Sequence, residues 1–182
     1  MNPKVLALLE SLESEKLTHR QLWNISWETA GYLHKMILEN KPKVILEVGT
    51  SNGFSGIWLA SAAATYGGEL WTIESSPKRI PLAQENFKNS GLENIHMIRG
   101  HAPEVFDQVP GIIDFAFLDA TKEEYILFYE ALKGRMKSGG VIVADNVISH
   151  RPSLVEYLDV VRAEQNSSLI DIGTGLEVTI LS

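Results

Sequence analysis

The stretch Val44-Ile-Leu-Glu-Val-Gly-Thr-Ser-Asn-Gly-Phe-Ser-Gly56 constrains the chain more than any other. An apolar run ends in an acid and breaks into a glycine-rich turn before a new helical pattern begins. Val44, Ile45, Leu46 and Val48 are not interleaved with polar residues in alternation, as expected of a parallel strand covered by helices on both faces. Glu47 then falls at the carboxyl end of that strand. Gly49 and Gly53 supply backbone freedom and room for a ligand to approach the main chain, while Ser51, Asn52 and Ser55 bring hydrogen-bonding groups to the helix entrance. The spacing is Glu-x-Gly-x-x-x-Gly, not the Gly-x-Gly-x-x-Gly that seats a pyrophosphate on a helix N-terminus, so a nicotinamide dinucleotide is disfavoured. An acid here suits a ligand with positive charge, such as the amine and sulfonium of S-adenosylmethionine. The same residues also fit a buried strand followed by an ordinary glycine turn.

At 182 residues the chain fits one domain, 1–182, with N-terminal helices in 1–40. A formal net charge of -7 argues against nucleic acid or an anionic membrane as the main partner, because those need clustered Lys and Arg. The absence of Cys removes disulfides, thiolate metal sites and a cysteine nucleophile together. Met1 to Lys16 mixes Leu6, Leu8, Leu9 and Leu12 with Glu10, Glu13 and Glu15, unlike a signal peptide, and no stretch reads as a membrane span. A cytoplasmic location is the expectation.

Val5, Leu8, Leu9 and Leu12 recur at helical spacing, giving a short amphipathic helix that lies over the domain or against a second subunit of a homodimer. A second helix starts at Ser26 as N-cap, with Glu28 in its first turn, and carries Trp27, Ala30, Leu33 and Ile37 inward until Pro42 ends it. Its entrance, Trp23-Asn24-Ile25-Ser26, lies within reach of a ligand. After the central strand, Phe54, Ile57, Trp58 and Ala62 form a helix stopped by Gly67-Gly68, and Leu70 to Glu74 a strand ending in an acid. Ser75 and Ser76 before Pro77 mark a helix start and Gly91 its stop; Ile95 to Ile98 is the next strand. Ala102 to Val109 reads as a short helix, Ile113 to Leu118 as a strand, Lys122 to Met136 as a helix with Tyr125, Phe128 and Leu132, and Val141 to Ala144 as a strand. Pro152 opens the last helix. Leu169 to Ile172 and Glu177 to Leu181, joined by Gly173-Thr174-Gly175, read as a closing β-hairpin. This alternation demands an α/β fold, a mostly parallel sheet with helices on both faces.

Ligands of such sheets bind beyond the carboxyl ends of the strands, where strand order reverses. Nearly every strand here ends in a polar group: Glu47, Glu74, His101, Asp119, and Asp145 with Asn146. Glu74, one βα unit after the glycine turn, can accept from both hydroxyls of a ribose; otherwise it is a solvated strand end. If the fourth and fifth strands are neighbours, their ends lie about 5 Å apart, so Asp119, Asp145 and Asn146 converge on one small volume. Such oxygen ligands suit Mg²⁺, with Mn²⁺ or Ca²⁺ as alternatives, and leave positions for water and substrate oxygens. The alternative is an N-cap aspartate and an Asp-Asn turn. Lys122 opens a helix, where a cation opposes the helix dipole. A lysine near a metal and partly desolvated gives up its proton more readily, which makes Lys122 a candidate general base; otherwise it is an exposed lysine.

Together these residues resemble the cation-dependent O-methyltransferases that use S-adenosylmethionine, the family of catechol and caffeoyl-CoA O-methyltransferases. The resemblance runs from about Asn24 to the C-terminus. Its most specific part is Asp119-Ala-Thr-Lys122 followed by Asp145-Asn146, similar to the family's Asp-x-x-Lys and Asp-Asn elements. It implies a class I methyltransferase-like Rossmann fold, a doubly wound seven-stranded sheet in the order 3-2-1-4-5-7-6 with the last strand antiparallel. It also implies that Glu47, Gly49 and Ser55 hold the methionine end of the cofactor, Glu74 the ribose, and His101 with Ala102 the adenine side. Thr50, Gly53, Ser75 and Asp119 join the cofactor set, with Asn24 or Ser26 a looser match. Asp119, Asp145 and Asn146 would be the metal ligands and Lys122 the catalytic base. Three positions depart from the family. Thr121 stands where plant members often have a second acid, and His150 where an asparagine meets substrate. His101 stands where an acid is frequent, and reads equally as an adenine contact or a surface histidine. The segment from Asn146 to Pro152 is short, so the site is more open or borrows a partner subunit. The reaction implied is an SN2 methyl transfer to a hydroxyl of a small, catechol-like acceptor chelated on a divalent cation. A non-catalytic S-adenosylmethionine-binding module and a metal-independent methyltransferase are the alternatives; a dehydrogenase on this architecture is weakened by the glycine spacing.

Overall fold

The computed structural model describes residues 1–18 and 24–182. Helices α1 (Pro3–Thr18) and α2 (Trp27–Asn40) precede strand β1 (Val44–Val48). The chain then alternates: α3 (Phe54–Ala63), β2 (Glu69–Glu74), α4 (Ile80–Ser90), β3 (Ile95–Arg99), β4 (Ile113–Leu118), α5 (Tyr125–Lys133), β5 (Met136–Ala144), α6 (Val155–Glu164), β6 (Asn166–Ile170) and β7 (Leu176–Ile180). The strands form one sheet in the order β3-β2-β1-β4-β5-β7-β6. β1 to β5 run parallel, and β7 runs antiparallel to both β5 and β6. That is the arrangement the resemblance implied.

Strand alternation explains why the apolar runs are uninterrupted. Ile45, Phe115, Phe117 and Val143 pack on one face with Leu33, Ile37, Phe54 and Ile57 of the helices. Leu46, Ala116, Leu118 and Ile142 pack on the other with Phe128, Leu132, Tyr157 and Leu158. Every residue of α3 is buried, because α1, α2 and the sheet enclose it. Val5, Leu9 and Leu12 of α1 join that layer, so the amphipathic face of the first helix covers its own chain. Burying side chains of this kind contributes about 1.5–3 kcal/mol each.

Local signals set most boundaries. Ser26 caps α2 by accepting from the Thr29 amide at 3.0 Å, and the helix ends at left-handed Lys41, just before Pro42. Several expectations are corrected. Trp27 is not carried inward: it stays 36% exposed, its ring against Phe54 and Trp58. α3 stops at Ala63, four residues before Gly67, through a turn in which Gly68 donates to Ala63. Residues 77–79 form a turn and α4 begins only at Ile80. Residues 102–109 contain a turn and a 3-10 segment, Phe106–Gln108, in place of a helix. The helix expected over Lys122–Met136 divides into a 3-10 turn, Lys122–Glu124, and α5, while Met136 already belongs to β5. β6 begins at Asn166, three residues earlier than expected. Among the described residues no helix is long and apolar enough to cross a membrane.

Candidate active site

The ladder continues past the strand ends and so fixes the residues that follow them. Asp119 donates its amide to Val48 O at 2.9 Å, and Asp145 donates to Leu118 O at 3.0 Å. β4 and β5 are paired with Leu118 opposite Ala144, so the two aspartates stand side by side, about 5 Å apart by strand spacing. Gly49 closes the approach from β1. Its φ is +105°, and a Cβ there would lie 2.2 Å from the Asp119 carbonyl oxygen, so only glycine lets these two loops touch.

Above this edge, at the β1/β4 reversal of strand order, lies a cavity of about 880 Å³. It brings together most of the sequence-derived candidates: Asn24, Ser26, Gly49, Glu74, Ser75, His101, Ala102, Asp119, Lys122, Asp145 and Asn146 all line it. Trp23, expected at its entrance, lies outside the described residues. Glu47, Thr50, Gly53 and Ser55 are not among the residues that line it. The register puts Glu47 opposite Thr72, on the face covered by α3. There its carboxylate accepts from Ser55 Oγ and Thr72 Oγ1, each at 2.5 Å, and Thr72 is in turn 2.5 Å from Thr50 Oγ1. Burial pushes the Glu47 carboxyl up to about 7 against the pull of those two hydroxyls. Gly53 is backed by the Phe87 ring. Glu47, Ser55 and Thr72 together brace the strand and helix on either side of the glycine loop.

Glu74 is 6% exposed, and its oxygens accept from the amides of Ser51 and Ser76 at 2.8 Å, which holds the carboxylate rigidly at the rim. Among the described residues, neither amide atom of Asn24 nor the hydroxyl of Ser51, all buried, has a hydrogen-bond partner. A buried amide with neither donor nor acceptor satisfied is costly, and at a cavity wall it is what a polar ligand would satisfy. His101 pairs with Glu124, Nε2 to Oε1 at 2.7 Å. On the other side, Lys122 Nζ donates to Asp119 Oδ1 at 2.8 Å and to Tyr125 Oη at 3.2 Å, and Tyr125 donates to Leu118 O. Asp145 is 2% exposed; Oδ1 accepts from the Asn146 amide and from Thr174 Oγ1, each at 2.7 Å. Burial and then the neighbouring Asp119 charge push its carboxyl up to about 6, opposed by those donors and by Lys122.

A sequence profile described as O-methyltransferase matches residues 3–174. The chain belongs to the O-methyltransferase family. Among its relatives, catechol O-methyltransferase of Niastella koreensis is 35% identical over 147 residues, 76% of this chain and 66% of that protein. Catechol O-methyltransferase of Mycobacterium tuberculosis is 32% identical over 141 residues, 75% of this chain and 64% of that protein. The matched region thus spans slightly under two thirds of either relative. An O-methyltransferase of Bacillus cereus, solved in complex with SAH, superposes with a TM-score of 0.84 at 22% identity, covering 97% of this chain and 91% of that one, which shows the shared fold.

Within this O-methyltransferase fold the side chains fit both groups the resemblance implies. The Asn24 amide, without a partner among the described residues, and the anchored Glu74 carboxylate suit a polar, partly cationic nucleoside. Asp119, Asp145 and Asn146 form a hard oxygen donor set, with Asp145 Oδ2 accepting no hydrogen bond among the described residues. Only two of these are carboxylates, and no group of three or more His, Cys, Asp or Glu side chains suited to a metal occurs among the described residues. A cation there would take its remaining oxygens from water and substrate. Sequence reasoning missed Arg79, Glu124 and Thr174 as lining residues. Arg79 sits in a turn read as helix, and Thr174 lies in the hairpin turn. No motif marks either one.

Proposed function

We propose that residues 1–182 act as one methyltransferase domain that moves a methyl group from S-adenosylmethionine to a hydroxyl of a small, catechol-like acceptor, aided by a divalent cation, foremost Mg²⁺. The observation that carries this reading is the single cavity: Glu74 and Asn24 line it together with Asp119, Lys122, Asp145 and Asn146. The two relatives named catechol O-methyltransferase support the acceptor class.

Bound there, S-adenosylmethionine would supply an electrophilic methyl and the cation a Lewis acid that lowers the pKa of a chelated hydroxyl. The chain's own work is positional. Glu74, held by two backbone amides, accepts from the ribose hydroxyls, and Asn24 offers its amide to the amino-acid end. Asp119, Asp145 and Asn146 hold the cation beside the acceptor. Lys122 Nζ, between Asp119 and Tyr125, is placed to take the acceptor's proton. His101 and Ala102 face the adenine side.

The test is methyl transfer from labelled S-adenosylmethionine to catechol, with Mg²⁺ and with chelator, in the wild type and Asp145→Ala. Turnover abolished by chelator and by the substitution is the expected result; undiminished turnover in chelator removes the cation. One observation favours a second reading. Lys122 already sets a positive charge 2.8 Å from Asp119, which suits metal-independent transfer, and chelator-resistant turnover would select it. Stabilisation by S-adenosylhomocysteine with no turnover of any vicinal diol would instead select a binding module.

A further inference from the structure

We infer that Thr174, in the turn between β6 and β7, is a positioning residue that aims one oxygen of Asp145 at the divalent cation; this rests on the reading of Asp145 as a metal ligand. A carboxylate on its own can rotate about χ2 and offer either oxygen. At Asp145 that freedom is removed: Oδ1 takes both the Thr174 hydroxyl and the Asn146 amide at 2.7 Å, and Oδ2 is left without a partner among the described residues. Two donors on one oxygen select the orientation in which the other is presented, on a carboxylate that is itself 2% exposed.

The backbone that carries this hydroxyl is itself tied in place. The Thr174 carbonyl accepts from the amides of Ile148 and Ser149 at 3.0 and 3.2 Å, and Val147 donates to Gly175 O at 3.1 Å. The turn is therefore stitched to the loop that carries Asn146, itself in the left-handed region at φ 68°. On its other side the turn abuts the N-cap of α2, since a Cβ on Gly173 would lie 2.4 Å from Thr29 Oγ1 and 3.1 Å from Ser26 Oγ. A Cβ on Gly175 would lie 2.4 Å from the Ile148 side chain. The turn thus wedges between the helix end that lines the cavity and the metal-side loop, with Thr174 as its one side chain on the Asp145 carboxylate. The hairpin turn lies against the short segment after Asn146.

The experiment is Mn²⁺ binding, measured by electron paramagnetic resonance in the presence of S-adenosylhomocysteine, for the wild type, Thr174→Val, Thr174→Ser, Thr174→Ala and Asp145→Ala. Loss of a group that orients a metal ligand typically weakens binding about 10–100-fold. Thr174→Val, nearly isosteric but without a donor, should fall in that range; Thr174→Ser should stay within about threefold of the wild type. Affinity for S-adenosylhomocysteine without metal should not move, which separates the effect from general damage to the fold. Thr174→Ala supplies the same comparison should the valine variant not fold. Wild-type Mn²⁺ affinity in both Thr174→Val and Thr174→Ala, with Asp145→Ala unable to bind, overturns the role of Thr174 and leaves the metal site standing. No Mn²⁺ binding by the wild type, or full binding by Asp145→Ala, overturns the metal reading and this inference with it.

Discussion

Glu47→Gln is the substitution whose outcome can be worked furthest from the structure. The carboxyl is fully buried, and burial raises it from an ordinary value of 4.5 to about 7. The native state therefore binds this proton more tightly than the unfolded chain does. Below pH 4.5 both states are protonated and the group adds no pH dependence; between 4.5 and 7 only the unfolded state ionises, so stability falls as pH rises. At about 1.4 kcal/mol per tenfold shift, the loss on crossing that window is about 3 kcal/mol. Glutamine keeps the shape, accepts from one of Ser55 and Thr72 and donates to the other, and cannot ionise. Urea unfolding of the ligand-free protein at pH 5, 6, 7 and 8, for both forms, isolates the effect. Other groups, including Asp145 with its similarly raised carboxyl, cancel in the difference. The variant should match the wild type or fall slightly below it at pH 5 and exceed it by about 2–3 kcal/mol at pH 8. A difference that stays constant across the range would refute the buried, proton-holding role of Glu47.

Gly49→Ala should lower the melting temperature sharply and cost more than about 2 kcal/mol, because its Cβ would meet the Asp119 carbonyl and its φ of +105° disfavours any side chain. Calorimetry checks this, and a shift of only a degree or two would mean the loops yield. Glu74→Ala should weaken S-adenosylhomocysteine at least about tenfold in titration calorimetry, the loss expected when charge-assisted hydrogen bonds to a ligand are removed. Mn²⁺ binding should be left intact. Lys122→Met should depress methyl transfer to catechol by about 10²–10⁴-fold, the usual contribution of a positioned base, with S-adenosylhomocysteine affinity unchanged. Equal losses in both would reassign Lys122 to structure.

The sheet was legible because β1, β2 and β4 carry apolar residues on both faces and end in polar ones, which only a helix-covered parallel sheet accommodates. The ends of elements were less so. Lys137, Ser138 and Gly139 hide the start of β5, since that end projects beyond the helices and needs no apolar residues. Asn166 and Ser167 hide β6 for the same reason, on an edge strand. In the site, the strand-terminal acids Glu74, Asp119 and Asp145 line one cavity, because parallel strands deliver their ends to one side. Glu47 lies beneath the glycine loop, as period-two alternation dictates: it shares a face with Ile45, which packs under α3. Thr174 could not be found from sequence, since its role depends on a hairpin turn meeting a loop nearly thirty residues earlier, at Asp145.

The most direct test of the whole account is a crystal structure of the protein grown with S-adenosylhomocysteine and Mn²⁺, with diffraction collected at the manganese edge. One anomalous peak within about 2.3 Å of oxygens from Asp119, Asp145 and Asn146, with the ribose on Glu74 in the same cavity, is the expected result. An adenosyl group bound elsewhere, or a manganese peak away from Asp119 and Asp145, would contradict it.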